Sequence, residues 1–275
     1  MKHEEFTFTT SDNLELFGQF WSTKEDPSGV ICLVHGFGEH STRYAHWAER
    51  FVSKNFVFMG FDLRGHGKSP GKRGGIPSFE MLMNDISVFL EKARSLFPNI
   101  PVYLYGHSMG GNLVLNYAID RHPDIKGLVA TSPWLSLKKE QPGILLGLIR
   151  FINTLAPGLT IPSGLDAKGI SRDRDVVQRY VDDPLVHGKI SMRLFLAIHD
   201  NGLLVIKKAG QLTIPVLLMQ GSDDPIVDPE ATREFSKGVE QDVTYKEWEG
   251  LYHETHNEPE KEEVFDFVMQ WLDIH

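Results

Sequence analysis

A single cysteine, Cys32, among 275 residues leaves no internal disulfide to staple the fold and no multi-cysteine metal site. Such sparing use of cysteine suits a reducing compartment. Positive charge is also scarce: 28 Lys and Arg stand against 37 Asp and Glu, a net charge of −9. That balance is a poor basis for gripping a phosphate backbone and argues against nucleic acid as a partner. No apolar run is long enough to cross a bilayer. The most apolar window, 143–149, is broken by Arg150 well short of the roughly 20 residues a spanning helix needs. Met1-Lys2-His3-Glu4-Glu5 runs directly into alternating Phe and Thr, so no signal peptide is expected and the reading is cytoplasmic. Repeats and low-complexity tracts are lacking too.

What is there is ordinary globular material: 41% hydrophobic and 24% charged residues, enough to bury a sizeable core. Segments 5–10 and 14–20 alternate apolar and polar residues around Ser11-Asp12-Asn13, the pattern of a β-hairpin with a polar turn. Short apolar runs at 30–34, 56–61, 102–105, 127–130 and 214–219 match strands buried on both faces of a parallel sheet. Helical patterns at 44–53, 79–97, 112–121 and 229–237 lie between several of them, and a strand at 243–248 and a helix at 259–272 follow. The alternation predicts right-handed βαβ crossovers in a three-layer α/β fold with a mostly parallel central sheet. From 133 to 207 it stops. Helical patterns and turns at 143–155, 157–162, 173–181 and 192–208 occur there without a strand of the sheet-core type. The expected organisation is a core of 1–132 and 208–275 with a helical cap, 133–207, inserted after one sheet strand.

Gly106-His107-Ser108-Met109-Gly110-Gly111 falls where a predicted strand meets a predicted helix, the context of a G-x-S-x-G nucleophile elbow. Such a turn lifts the serine hydroxyl above the sheet, and small residues two positions either side let backbone segments approach. Ser108 is the expected nucleophile. A serine needs a base and an acid that orients it, which in this architecture follow in the order acid, then histidine. The strand at 214–219 leads into Gln220-Gly221-Ser222-Asp223-Asp224-Pro225, so either aspartate could orient. The next strand leads into Gly250-Leu251-Tyr252-His253, and His253 is the expected base. His107 should leave the elbow in another direction, and His66 comes too early in the chain. The amides of Met109, after the nucleophile, and Phe37, in Val34-His35-Gly36-Phe37-Gly38, are expected to form an oxyanion hole.

These motifs resemble the α/β-hydrolases, and within them the monoacylglycerol lipase and lysophospholipase group. The resemblance spans nearly the whole chain: His35 to Ser41 with Arg43-Tyr44, Asp62 to Ser69, Gly106 to Gly111, Gln220 to Asp224, and Tyr252 to Glu258. It implies that Asp224 is the acid, that His253 is the base, and that Glu39, Arg43 and His256 line a polar end receiving glycerol. It further implies a cofactor-independent serine hydrolase whose partner is a small lipid ester, and it leaves room for transient contact of the cap with a membrane surface. Two departures stand out. Phe37 occupies a position where relatives often carry a small residue, which implies a narrower or more aromatic pocket. The cap matches the family in length and position better than in sequence.

Other readings fit the residues less well. A non-catalytic receptor on this fold could lose a triad member freely, whereas every member is present. Dehalogenases and epoxide hydrolases carry aspartate at the elbow. Perhydrolase and aryl-esterase activities keep the same nucleophile. His253-Glu254-Thr255-His256 resembles a helical zinc site only superficially, since its histidines are three apart rather than four, and no metal is expected.

Overall fold

The computed structural model describes residues 1–23, 26–139 and 141–275. The expected hairpin forms and is longer than its alternation suggested: β1 (Lys2–Thr9) pairs antiparallel with β2 (Glu15–Ser22). In its turn Asn13 takes a φ of 63°, a conformation asparagine tolerates well, and Leu14 N–H donates to Thr10 Oγ1 at 3.0 Å. The chain then alternates through β3 (Gly29–Val34), α1 (Ala45–Ser53), β4 (Phe56–Phe61), α2 (Phe79–Leu96), β5 (Val102–His107), α3 (Met109–Arg121) and β6 (Gly127–Thr131). After an excursion described below it resumes with β9 (Val216–Gly221), α7 (Pro229–Gly238), β10 (Val243–Trp248) and α8 (Lys261–Leu272).

The eight-stranded sheet has the order β1-β2-β4-β3-β5-β6-β9-β10 and is parallel from β4 to β10. β3 pairs β4 on one side and β5 on the other, so the strand order reverses there. In an open α/β sheet, this reversal opens a crevice beyond the C-terminal strand ends. Side-chain alternation separates the two faces. Val30, Cys32 and Val34 of β3 join the core under α2 and α3, while Ile31 and Leu33 meet Trp47 and Phe51 of α1 and Phe265 and Val268 of α8. The ladder of β9 begins two residues later than the apolar run because Pro215 has no N–H to donate, and Gln220 and Gly221 complete it.

Between β6 and β9 no strand among the described residues enters the large sheet. The described residues there form α4 (Gly143–Leu155), β7 (Thr160–Pro162), α5 (Arg174–Asp182), β8 (Lys189–Ser191) and α6 (Met192–Lys207). The segment 157–162, expected as a helical pattern or turn, ends in a short strand, since Thr160, Ile161 and Pro162 pair antiparallel with Ser191, Ile190 and Lys189 in a separate two-stranded ribbon. Its partner lies about thirty residues away in sequence, so local periodicity carries no trace of the pairing. No helix among the described residues is long and apolar enough to cross a membrane.

Candidate active site

Ser108 is the hinge between β5 and α3, with φ 55° and ψ −115°, a sparsely populated conformation for a residue with a Cβ. Its surroundings hold it there. Ser108 N–H donates to Thr131 O at 2.9 Å, and its carbonyl accepts from Trp134 N–H at 2.9 Å and Asn112 N–H at 3.0 Å. The flanking glycines are obligatory on steric grounds. A Cβ on Gly110 would lie 1.9 Å from Val34 O, and one on Gly106 would lie 2.5 Å from Gly110 O.

The loops after β9 and β10 meet above this turn. Gly221 permits the approach, because a Cβ there would lie 2.2 Å from Tyr252 O. His253 Nε2 stands 2.8 Å from Ser108 Oγ, and its Nδ1 stands 2.7 Å from Asp224 Oδ2. A neutral ring donating Nδ1–H to the carboxylate has its other nitrogen free to accept from the serine hydroxyl. Asp224 is buried and fixed: its Oδ1 accepts from the amides of Ile226 and Val227 at 2.8 and 3.1 Å, and Oδ2 also accepts from Gln220 Nε2 at 2.9 Å. Asp223 is exposed and accepts from Ser222 Oγ, so of the two aspartates only Asp224 meets the imidazole. Burial disfavours the charged form of His253, but the Asp224 charge and hydrogen bond outweigh it and raise its pKa above the ordinary imidazole value.

The Gly36 loop lies against Ser108, close enough that a Cβ on Gly36 would stand 3.3 Å from Ser108 Cβ. Phe37 follows in that loop and Met109 is the first residue of α3, where helical N–H groups lack intrahelical partners. The Phe37 ring lines the cavity among Trp134, His66 and His187, at centroid distances of 6.4, 6.1 and 5.8 Å, so the pocket wall here is aromatic.

The three residues expected at the polar end do not share one surface. Glu39 lines the cavity; its Oε1 accepts from Gly36 N–H at 2.6 Å and Tyr44 OH at 2.8 Å. Arg43 sits behind it, donating to Glu39 Oε2 and, through two nitrogens at 2.7 and 2.8 Å, to Glu254, with the guanidinium 4.7 Å from the Tyr180 ring centroid. His256 is buried and stacked on Tyr44 at 4.8 Å, and burial lowers its pKa to about 3, so it is neutral. Arg43 and His256 thus back the polar wall rather than line it, because each is taken up by a buried neighbour. Sequence reasoning missed Glu254. Burial pushes its carboxyl up, but the Arg43 charge and paired hydrogen bonds hold it well below the usual carboxylate range. Its position beside His253 was the available signal.

Ser108, His253, Glu39 and Glu254 open into a cavity of about 750 Å³ whose far side is apolar, with Leu145, Leu148 and Ile152 of α4 in its wall. The other histidines take separate places. His107 Nδ1 pairs with Thr131 Oγ1 at 3.0 Å, and His66 Nδ1 with Arg64 O at 3.1 Å; burial holds both well below the ordinary value.

A family model described as serine aminopeptidase, S33, matches residues 25–260. The chain is 37% identical over 96% of its length to an uncharacterized abhydrolase domain-containing protein of Dictyostelium discoideum, of which it spans only 28%. It is 33% identical over 98% of its length to the monoacylglycerol lipase of Mycolicibacterium smegmatis, covering 97% of that protein. The crystal structure of the Paleococcus ferrophilus monoacylglycerol lipase superimposes with a TM-score of 0.86 at 38% identity, covering 94% of this chain and 98% of that one. By sequence over most of its length and by fold, this chain belongs to the serine aminopeptidase S33 family of α/β-hydrolases, in the monoacylglycerol lipase and lysophospholipase group.

Proposed function

We propose that this protein hydrolyses monoacylglycerols to fatty acid and glycerol through an acyl-enzyme on Ser108. One observation carries the reading: the hydrogen-bonded chain Ser108–His253–Asp224 opens into a cavity that is polar at one end and apolar at the other. Ser108 Oγ attacks the ester carbonyl carbon while His253 Nε2 takes its proton, and Asp224 orients the ring and stabilises the imidazolium. The amides of Phe37 and Met109 receive the oxyanion. His253 then returns the proton to the departing glycerol oxygen. Water, deprotonated by the same nitrogen, releases the fatty acid and regenerates Ser108.

In this reading 1–132 and 208–275 are the hydrolase core and 133–207 is the cap. Leu145, Leu148 and Ile152 receive the acyl chain, and Ile144, Phe151 and Leu155, exposed elsewhere on α4, make transient contact with a membrane surface. Glu39 takes the hydroxyls of the alcohol, with Arg43 and His256 fixing it from behind. The test is a panel of monoacylglycerols, lysophospholipids, triacylglycerols, short aryl esters and an aminoacyl anilide, offered to the purified protein. Monoacylglycerol should give the highest kcat/KM. Preference for the anilide would move the reaction to peptide bonds, and preference for lysophospholipid would change the alcohol.

A further inference from the structure

The polar end of the cavity has an unbalanced charge. Two carboxylates, Glu39 and Glu254, belong to its wall, and a single guanidinium serves both. Arg43 does not line this cavity. It faces a second, smaller one, with the Tyr180 ring beside it, and both its terminal nitrogens are taken by carboxylate oxygens. Glu254 is held in the same way, since Asn257 Nδ2 also donates to its Oε2 at 2.7 Å and its amide donates to Ile170 O at 2.7 Å. The histidines nearby do not make up the difference: His107 lines the cavity and is neutral, His256 lies behind it and is neutral, and His253, which lines it too, has both ring nitrogens taken by Asp224 and Ser108. Lys139 and Lys168 are exposed on the cavity's cap side and free to turn into solvent. A substrate alcohol that enters beside Ser108 therefore meets two carboxylates whose shared guanidinium is already taken, and the cations left in the cavity wall are the exposed, unburied Lys139 and Lys168.

We propose that Glu254, together with Glu39, makes this end of the cavity reject anionic alcohols, so that the enzyme takes acyl esters of neutral or cationic alcohols and refuses acylglycerol phosphates. The inference rests on the ester-hydrolase reading above and narrows its substrate class. A phosphate monoester brings close to two negative charges and would need a free guanidinium or ammonium to replace its water. Here the guanidinium nearest these carboxylates, that of Arg43, is already bidentate to buried Glu254. Like charges held several ångströms apart where water is partly excluded repel far more than in bulk solvent. A vicinal diol, by contrast, can donate to carboxylate oxygens, and a quaternary ammonium is attracted to them.

Three water-soluble butyrate esters that share one acyl group test this: monobutyrylglycerol, butyrylglycerol 3-phosphate and butyrylcholine. Wild-type kcat/KM for the phosphate ester should be at least about tenfold below that for the glyceride, with the choline ester closer to the glyceride. Choline's trimethylammonium, like the phosphate, is a bulky charged group, and its charge is opposite. If both fail alike, exclusion is by size and the proposal is overturned. Glu254→Gln should narrow the gap between glyceride and phosphate ester at least about fivefold, whereas Glu254→Asp should preserve it. Should Glu254→Gln fail to fold, Glu39→Gln reads the same ratio from the other carboxylate. Equal wild-type rates on glyceride and phosphate ester, or an unchanged ratio in the neutralised variant, would overturn the inference alone. Failure to turn over any of the three esters would overturn the proposed reaction and this inference with it.

Discussion

Helices α3 and α4 are both 13 residues long, and their surroundings are opposite to what their sequences suggest. α3 carries two asparagines, an aspartate and an arginine, yet every residue from Met109 to Ile119 is buried. α4, Gly-Ile-Leu-Leu-Gly-Leu-Ile-Arg-Phe-Ile-Asn-Thr-Leu, is far more apolar, and none of its residues is buried. The side-chain amide donors of α3 are satisfied, since Asn112 Nδ2 donates to the carbonyls of Trp134 and Ile198 and Asn116 Nδ2 to Asn112 O, while Asn116 Oδ1 is buried without a partner among the described residues. α4 is tied to α6 by an Arg150–Asp200 ion pair exposed to solvent, an attachment worth about 0–1 kcal/mol. The difference follows from what each helix must do. α3 has to hold Ser108 in a strained turn and so has no free space around it. α4 offers apolar surface to something other than the protein's own core.

The largest break in this comparison comes from the end of α3 where Ser108 sits. Ser108→Ala should cut turnover by roughly 10⁴-fold or more and abolish fluorophosphonate labelling, because its hydroxyl is paired to an imidazole that a buried carboxylate orients in turn. The fold should survive, since the hydroxyl pairs with His253 while the backbone anchors of Ser108 remain. Labelling that persists at another serine would put the nucleophile elsewhere.

Next in size is the acid. Asp224→Asn should lower kcat by about 10⁴-fold, whereas Asp223→Asn, altering an exposed group, should change it only a few-fold. The pH profile gives an independent readout. His253 must be neutral to take the serine proton, so kcat/KM falls as pH drops through its pKa. Because Asp224 raises that pKa, the acid limb should lie above the ordinary imidazole value, and removing the carboxylate charge should move the limb to lower pH. An unmoved limb in Asp224→Asn would detach it from His253.

Gly110→Ala tests the packing of α3 rather than the chemistry. Its new Cβ would press on Val34 O, a backbone atom of the central strand β3, which cannot yield. The expected cost is about 3 kcal/mol or more, read as a lower denaturant midpoint. A variant as stable as the parent would mean that β3 and α3 can part without penalty.

These contrasts mark what the sequence could and could not reveal. The elbow is legible because its motif is compact: Gly106 answers a clash with Gly110 O one turn on, Gly110 answers one with Val34 O of β3, and the strand and helix beside them have clear periods. The Asp223-Asp224 choice is not, since adjacent side chains on a loop point apart and the residues alone do not say which points inward. The places of Arg43 and His256 are hidden for another reason. Arg43 meets Glu254 across 211 positions, and His256 finds Tyr44 just as far back in the chain, so their burial follows from tertiary pairing. The apolarity of α4 is plain in the sequence. Its exposure is not, because periodicity reports which residues could be buried and says nothing of whether a surface is there to bury them.

On α4 the effects should be smaller and should touch selectivity more than stability. Leu148 lines the cavity and is 52% exposed, so Leu148→Asp removes little native packing while placing a charge on the acyl path. The ratio of long-chain to short-chain monoacylglycerol turnover should fall about tenfold with a melting temperature within a few degrees of the parent. An unchanged ratio would take α4 out of the acyl path.

The smallest effect bears most directly on the comparison. Gly147 sits mid-helix in α4, and a Cβ built there meets nothing within 4 Å, the reverse of Gly110. Alanine is intrinsically better than glycine inside a helix by about 0.8–1 kcal/mol, mainly because glycine loses more backbone entropy on folding. Gly147→Ala should therefore stabilise α4 slightly, raising the melting temperature by a degree or two if unfolding of the segment is coupled to the rest. Esterase activity on short substrates should be unaltered, because Gly147 is not in the cavity wall. The same substitution, glycine to alanine, thus carries opposite signs on two helices of equal length. Destabilisation at both positions would mean that α4 is packed against a surface in solution, and the distinction between a helix fixed for chemistry and a helix left open for ligand would fail.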